Sequence, residues 1–182
     1  MSPRGVTIDD LVVGIHQLGR QVGTHVEHTW TAPAPEGWGL EHIAVPAGAP
    51  LDIEAVFETV GDGVLVSGEV SYPLDGRCAR CLGPVETAAT SAFQELFVYD
   101  MPVAGEDDEV EVSPIVAERV DLGPVVHDAI ILDLPSTPLC EDNCAGLCVQ
   151  CGVDLNEQPD HVCAPLVDER WAGLSAWRES AQ

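Results

Sequence analysis

The chain has 182 residues, 46% of them hydrophobic, which is enough for one ordinary folded domain with a small appended segment. It carries 31 acidic residues against seven arginines and no lysine, so its net charge is −24 and long-range binding to a phosphate backbone is disfavoured. No stretch approaches the ~20 apolar residues of a membrane span, so we predict a cytoplasmic protein with no membrane partner and with reduced thiols.

Extended segments dominate the first hundred residues. We predict strands at residues 26–31, 40–45, 51–60, 64–70 and 85–99. Pro33 and Pro35 end the first of them, and residues 61–63 are predicted to form a three-residue hairpin turn. Five or so short strands of this kind favour an antiparallel β-meander or a partly closed barrel.

Two helices are predicted after the strands. The first begins near Asp121, with Pro124 tolerated in its first turn, and ends at Pro135. It is expected to lie on the sheet as a core helix, with an apolar face formed by Val125, Val126, Ala129, Ile130 and Leu132. The second begins near Asp168 and carries Trp171, Leu174 and Trp177 at three-residue spacing.

These elements predict an α+β fold in two parts. Residues 1–135 form an antiparallel β-rich domain with the core helix. Residues 136–182 form a cysteine-rich zinc-binding segment with the terminal helix packed on it. Between residues 100 and 112 the chain becomes strongly acidic, and like-charge runs of this kind are usually solvated loops.

Seven cysteines and one histidine fall into four closely spaced pairs: Cys78/Cys81, Cys140/Cys144, Cys148/Cys151 and His161/Cys163. An odd number of cysteines argues against a complete disulfide framework. The C-x2-C spacing lets two thiolates reach one metal ion from a tight turn, and zinc in structural sites takes four such ligands. Eight donors are therefore enough for two structural zinc ions.

The spacing assigns the pairs to two sites. Gly152 directly follows Cys151, as in a zinc knuckle, and the nearest partners for Cys148 and Cys151 are His161 and Cys163. The other four cysteines then form a site that links the sheet to the chain after the core helix: Cys78, Cys81, Cys140 and Cys144. The alternative is one local site formed by Cys140, Cys144, Cys148 and Cys151. Disulfides and an iron–sulfur cluster are further alternatives.

Catalytic motifs are not found. The sequence has no nucleophile elbow, no phosphate-binding loop and no dinucleotide fingerprint. A zinc ion with four protein ligands also leaves no position for a catalytic water. We therefore expect a protein that is not an enzyme; the remaining enzymatic alternative is a thiol-redox enzyme or sensor that uses Cys78 and Cys81.

Two strings carry a family resemblance. The first is Gly-Arg-Cys-Ala-Arg-Cys-Leu at residues 76–82, followed by Gln-Glu-Leu-Phe at residues 94–97. The second leads from Leu-Pro at residues 134–135 through the cysteines to Gly-Val-Asp-Leu-Asn at residues 152–156. Together they resemble the YceD-like family, the large ribosomal RNA subunit accumulation proteins, and residues 168–174 look like that family's closing helix.

The resemblance implies a role in 23S rRNA accumulation or processing during maturation of the large ribosomal subunit, with structural zinc and no known catalytic activity. It also implies an association with a small basic ribosomal protein of the large subunit. The net charge independently favours a basic ribosomal protein or a pre-large-subunit particle as partner, with rRNA contacted indirectly.

Two surfaces are candidates for binding the partner. The first is the acidic run, which suits cationic extensions of ribosomal proteins and contains Glu106, Asp107, Asp108, Glu109 and Glu111. The second belongs to the alternative of direct rRNA binding and consists of Arg77 and Arg80, which flank the first cysteine pair.

Overall fold

The computed structural model describes residues 7–16, 18–61, 63–100 and 112–163. The elements in chain order are β1 (Thr7–Asp9), β2 (Val12–Gly14), β3 (His25–Pro33), β4 (Gly39–Leu40), β5 (Ile43–Ala44), β6 (Pro50–Val60), β7 (Gly63–Arg77), β8 (Pro84–Val98), β9 (Ser113–Pro114), β10 (Arg119–Asp121) and α1 (Gly123–Asp133). The predicted terminal helix and the acidic run lie outside the described residues. The division of the chain at residue 135 stays a prediction. Within the described ranges, no helix is long and apolar enough to cross a membrane.

Four long antiparallel strands form the centre of the fold. β6 pairs with β3 and β7, and β7 pairs with β8 from Gly63 opposite Val98 to Arg77 opposite Pro84. The short β5 and β4 extend the sheet beside the end of β7, and β9 runs parallel to the end of β8. The outer strands of this described sheet do not pair with each other, so the predicted antiparallel meander is confirmed and the described strands do not close into a barrel.

One face of the central sheet is buried, because apolar and polar residues alternate along its strands. In β6 the buried residues are Leu51, Ile53, Ala55, Phe57 and Thr59, and the residues between them are exposed. A second, three-stranded antiparallel sheet, β1–β2–β10, adds Val13 and Val120 to the same core. Helix α1 adds Val126 and Ile130.

Helix α1 begins where the sequence predicts. Pro124 lies in its first turn, and Asp121 Oδ1 accepts a hydrogen bond from the Gly123 N–H at 2.9 Å. This bond satisfies one of the amides that the start of a helix leaves free. Leu132 was predicted on the apolar face, but it is 84% exposed. It follows the buried Ile130 by two residues, or about 200° around the helix, and so faces away from the core.

Two strand predictions are wrong in detail. β7 begins at Gly63, which pairs with Val60, so the hairpin loop has two residues rather than three. Gly61 has a φ of 46°, and tight two-residue turns need this left-handed backbone. Residues 40–45 do not form one strand, because the chain turns at residues 41–42 and the segment becomes the β4–β5 hairpin.

Candidate metal centres

The first cluster lies at the turn between β7 and β8. Cys78 and Cys81 occupy that turn, and Cys140 and Cys144 come from the chain after α1. The Sγ atoms of Cys78 and Cys144 are 3.8 Å apart, and those of Cys81 and Cys140 are 3.6 Å apart. Thiolates held at about 2.3 Å around one zinc ion in a tetrahedron lie about 3.8 Å from each other. The spacing therefore suits one ion.

The backbone of the turn places its two thiols on the same side. The N–H of Cys78 donates to the Gly83 carbonyl at 2.8 Å, and the N–H of Leu82 donates to the Cys78 carbonyl at 2.9 Å. Closing this turn puts Leu82 in the left-handed region, with a φ of 61°. The Arg80 N–H then points at Cys78 Sγ, 3.4 Å away, and supports the thiolate.

Arg80 ties the chain after α1 to this turn. Its guanidinium donates to the Cys144 carbonyl at 2.9 Å, and its own carbonyl accepts a bond from the Leu147 N–H at 3.1 Å. Gly146, with a φ of 76°, passes so close that an added Cβ would lie 3.1 Å from the Arg80 carbonyl oxygen. Arg80, a candidate for rRNA binding, is therefore part of the scaffold of the first cluster.

The second cluster lies within one short segment. It contains Cys148, Cys151, His161 and Cys163, whose donor atoms all lie within 4.8 Å of one another. Cys148 Sγ is 3.4 Å from Cys163 Sγ, and His161 Nε2 is 3.1 Å from the Sγ atoms of both Cys151 and Cys163. Three thiols and one imidazole in this arrangement suit one tetrahedral ion.

The two C-x2-C turns share one backbone geometry. In the second turn the Cys148 N–H donates to the Val153 carbonyl and the Gly152 N–H to the Cys148 carbonyl, each at 2.8 Å. Gly152 is left-handed, with a φ of 74°, and occupies the position that Leu82 occupies in the first turn. The sequence identified the glycine, whereas the equivalent role of Leu82 carried no signal, because leucine does not favour this conformation.

Asn156 connects the two clusters, a role that the sequence did not reveal. Its Oδ1 accepts the Ala145 N–H at 2.7 Å, and its Nδ2 donates to Cys144 Sγ at 3.4 Å. Asp154 Oδ1 fixes the amide by accepting a hydrogen bond from Asn156 Nδ2 at 2.8 Å. The second cluster is thus anchored to a thiol of the first, and the only available clue was the short Asp-Leu-Asn string that follows Gly152.

The thiols of each cluster have strongly divided pKa values. Hydrogen bonding from the Cys81 backbone N–H, opposed by desolvation, lowers the pKa of Cys78 to about 6, and bonding from the Gln150 N–H lowers the pKa of Cys148 to about 6. Desolvation and neighbouring thiols raise the pKa of Cys140 to about 12, and bonding with Cys151 raises that of Cys163 to about 12. Thiolates this close repel each other, so the thiols of one cluster cannot all lose their protons without a cation. In either cluster, a bound divalent ion would offset this repulsion and let all the thiols be deprotonated.

The grouping follows the two-site prediction. Each cluster brings together four donors, and the described residues do not combine Cys140 and Cys144 with Cys148 and Cys151. The local four-cysteine alternative therefore does not match the structure. Arg77 is exposed at the end of β7, directly before Cys78. The acidic residues 106–111 lie outside the described ranges.

The comparison with protein families covers this same region. The family model of the large ribosomal RNA subunit accumulation protein YceD matches residues 66–177, which include all eight donors, most of β7, and the whole of β8 and α1. The chain belongs to the YceD family. Its membership confirms the resemblance seen in the sequence.

Relatives of this YceD family protein cover different shares of the chain. An uncharacterized protein of Mycobacterium tuberculosis is 43% identical over 165 residues, which are 90% of this chain and 79% of the relative. One of Mycobacterium leprae is 33% identical over 171 residues, or 92% of this chain and 77% of the relative. The chloroplastic large ribosomal RNA subunit accumulation protein YCED homolog 1 of Arabidopsis thaliana is 28% identical over 76 residues, or 42% and 23%. No solved structure matches the chain.

Proposed function

We propose that this protein is a non-enzymatic cytoplasmic factor that supports 23S rRNA accumulation and maturation of the large ribosomal subunit. It acts by binding a basic ribosomal protein or a pre-large-subunit particle. Family membership supports the ribosomal role, since the family and the Arabidopsis relative are both named for accumulation of large-subunit rRNA. The choice of partner is supported by the surface of the central sheet.

The observation that carries the proposal is the acidic outer face of that sheet. Seven exposed carboxylates lie on the side of β3, β6, β7 and β8 that faces away from the core: Glu27, Asp52, Glu54, Glu58, Glu69, Asp75 and Glu86. The same four strands contain one arginine, Arg77. We call this surface the acidic face.

Two pairs of like charges stand directly opposite each other on the acidic face. Glu54 of β6 is the register partner of Glu69 of β7, and Asp75 of β7 is the partner of Glu86 of β8. Opposed like charges destabilise a sheet by roughly 0.2–1 kcal/mol per pair. A cationic partner reverses this repulsion into attraction and steers association. The arrangement therefore suits a basic protein surface.

Direct rRNA binding has less support on the described surface. Arg80 is engaged with the first cluster, and Arg20 lies over the Tyr99 ring with its guanidinium carbon 4.6 Å from the ring centre. Arg119 also interacts with other groups. Of the two arginines proposed for rRNA, Arg77 is exposed and directly precedes Cys78, and one cation beside seven carboxylates is a weak phosphate site.

We further propose that each cluster holds one zinc ion in a structural role. Each offers four thiolate or imidazole donors, the ligand set that structural zinc prefers, and a fourfold protein site leaves no position open for catalysis. A thiol-redox role for Cys78 and Cys81 is disfavoured because Cys78, one of the two thiols, is 0% exposed. Metal analysis of protein prepared without added metal should give two zinc ions per chain. Iron with a visible charge-transfer spectrum would refute zinc.

The partner is tested by a paired titration. The purified protein is titrated with isolated basic proteins of the large subunit and with 23S rRNA fragments, at several salt concentrations. We expect the double variant Glu54→Gln with Glu69→Gln to weaken protein binding, and the control Arg77→Ala to leave it unchanged. In cells, depletion should lower mature large subunits. Tight binding to bare rRNA that requires Arg77, without affinity for any ribosomal protein, would contradict the proposal.

A further inference from the structure

Strand β8 has a free edge in the described part of the chain. It pairs with β7 on one side, and on the other side it pairs with β9 at Phe97 and Val98. Along residues 86–94 no described residue forms a backbone hydrogen bond to that second side. A free edge of this length is a template for another strand.

The hydrogen bonds identify which residues face the free edge. The Val98 carbonyl accepts the Ile115 N–H at 2.8 Å on the β9 side. Backbone groups of successive residues in a strand point to opposite sides, and the register with β7 is unbroken. The outward N–H and C=O groups therefore belong to the even-numbered residues Glu86, Ala88, Thr90, Ala92 and Gln94, all of which are exposed.

This edge lacks the usual protection against strand addition. Proteins guard free edges with charged residues, prolines or β-bulges. Residues 87–94 contain no charged residue and no proline, and their pairing with β7 has no bulge. Among the described residues, β9 is the one segment that uses this side of β8, and it adds in parallel at residues 113–114.

Helix α1 turns the edge into a groove. The groove has a volume of about 430 Å³ and lies between residues 92–95 of β8 and one side of α1. Ala92 and Phe93 line the strand side, Val125 and the exposed Leu132 line the helix side, and Asp128 adds a carboxylate. None of the described residues that line the groove is an arginine. It therefore suits an extended segment with apolar and basic side chains.

We propose that an extended basic segment of the partner adds to β8 as a new strand, in the groove between β8 and α1. The identity of the partner rests on the proposed function, whereas the mode of docking follows from the edge. The outward backbone groups bind the segment, its apolar side chains pack against α1, and the alternate side chains lie beside the acidic face near Glu86. A second copy of this chain is a poor occupant, because two chains of charge −24 repel each other.

The probe is a labelled ten-residue peptide of alternating lysine and valine. Its binding is followed by fluorescence anisotropy and by amide exchange measured with NMR. Because strand addition uses the outward groups, the N–H groups of Thr90, Ala92 and Gln94 should gain protection. Those of Ser91 and Phe93 face β7 and should keep the protection that they already have.

Proline substitution supplies the matched pair of variants. Ala92→Pro removes an outward N–H without touching the ladder with β7, so we expect at least about tenfold weaker binding of the peptide. Thr29→Pro is the control, because Thr29 holds the equivalent outward position on β3, the opposite edge strand. It should leave the affinity unchanged.

Binding without protection of the even-numbered amides, or equal weakening by both proline variants, would overturn the proposal. Protection that grows with protein concentration in the absence of peptide would also overturn it and assign the edge to a second copy. If a ribosomal partner binds and Ala92→Pro has no effect, the docking mode fails and the proposed function stands. If the peptide shows the expected pattern and no ribosomal partner is found, the docking mode stands and the proposed function fails.

Discussion

Replacing Cys140 with serine should destabilise the whole fold, whereas Cys163→Ser should loosen one segment. The first cluster joins Cys81 and Cys140, which are 59 residues apart. Cross-linking a loop of that length lowers the entropy of the unfolded chain and so stabilises the fold by about 4 kcal/mol. In the second cluster Cys148 and Cys163 are 15 residues apart, for which the same relation gives about 3 kcal/mol. That contribution is confined to residues 148–163, because all four donors lie there.

Thermal unfolding and amide exchange together separate the two effects. For a chain of this size, about 4 kcal/mol corresponds to a fall of about 8–16 °C in Tm. We therefore expect such a fall for Cys140→Ser, with two zinc ions reduced to one. Cys163→Ser should also lose one ion, but exchange should increase at residues 148–163 while the β6–β8 amides stay protected. An equal fall in Tm for both variants would refute the view that the first cluster clamps the sheet.

Three further predictions concern single side chains. Glu54→Gln should raise Tm by about 1–3 °C at low salt, because it removes one carboxylate of an opposed pair. Glu27 has no acidic register partner, so the control Glu27→Gln should change Tm less. An increase that persists in high salt would exclude this electrostatic cause. Gly152→Ala should destabilise the second turn by about 1 kcal/mol in chemical denaturation, because Gly152 has a left-handed backbone. Leu82 has the same backbone conformation, so Leu82→Gly should not destabilise the first turn. Equal losses of stability in the two variants would show that the two turns differ. Burial lowers the pKa of His28, whose Nε2 has no hydrogen-bond partner among the described residues, so the fold favours the neutral ring. Stability should therefore decrease as pH falls below 6.5, the ordinary value, and denaturation at pH 7.5 and 5 should show a smaller decrease in His28→Phe.

The features that the sequence predicted well are those with a local signal. β6 alternates buried and exposed residues over its whole length, and α1 has a proline in its first turn and an aspartate that caps an early amide. The grouping of the cysteines followed from counting donors, since a tetrahedral site needs four and the second cluster supplies its own. The long separation of Cys81 and Cys140 did not hide that pairing.

Features that depend on distant contacts could not be predicted. β1, β2 and β10 have three residues each, and β2 forms its sheet with β10 through pairs such as Val13 with Val120, so no periodic pattern reveals them. Leu82 adopts a conformation that its own chemistry disfavours, because the hydrogen bonds of the turn impose it. The contact from Asn156 to Cys144 exists only once both clusters have been brought together.

The distance between the halves of the first cluster sets an order of events during synthesis. Cys140 is added 59 residues after Cys81, which takes about 3–12 s at ordinary translation rates. Hairpins form within microseconds, so β7 and β8 can pair during that interval, before Cys140 and Cys144 have been added to the chain. The first cluster therefore closes over strands that have already emerged, and free metal or oxidant in the cell meets Cys78 and Cys81 before Cys140 and Cys144 do.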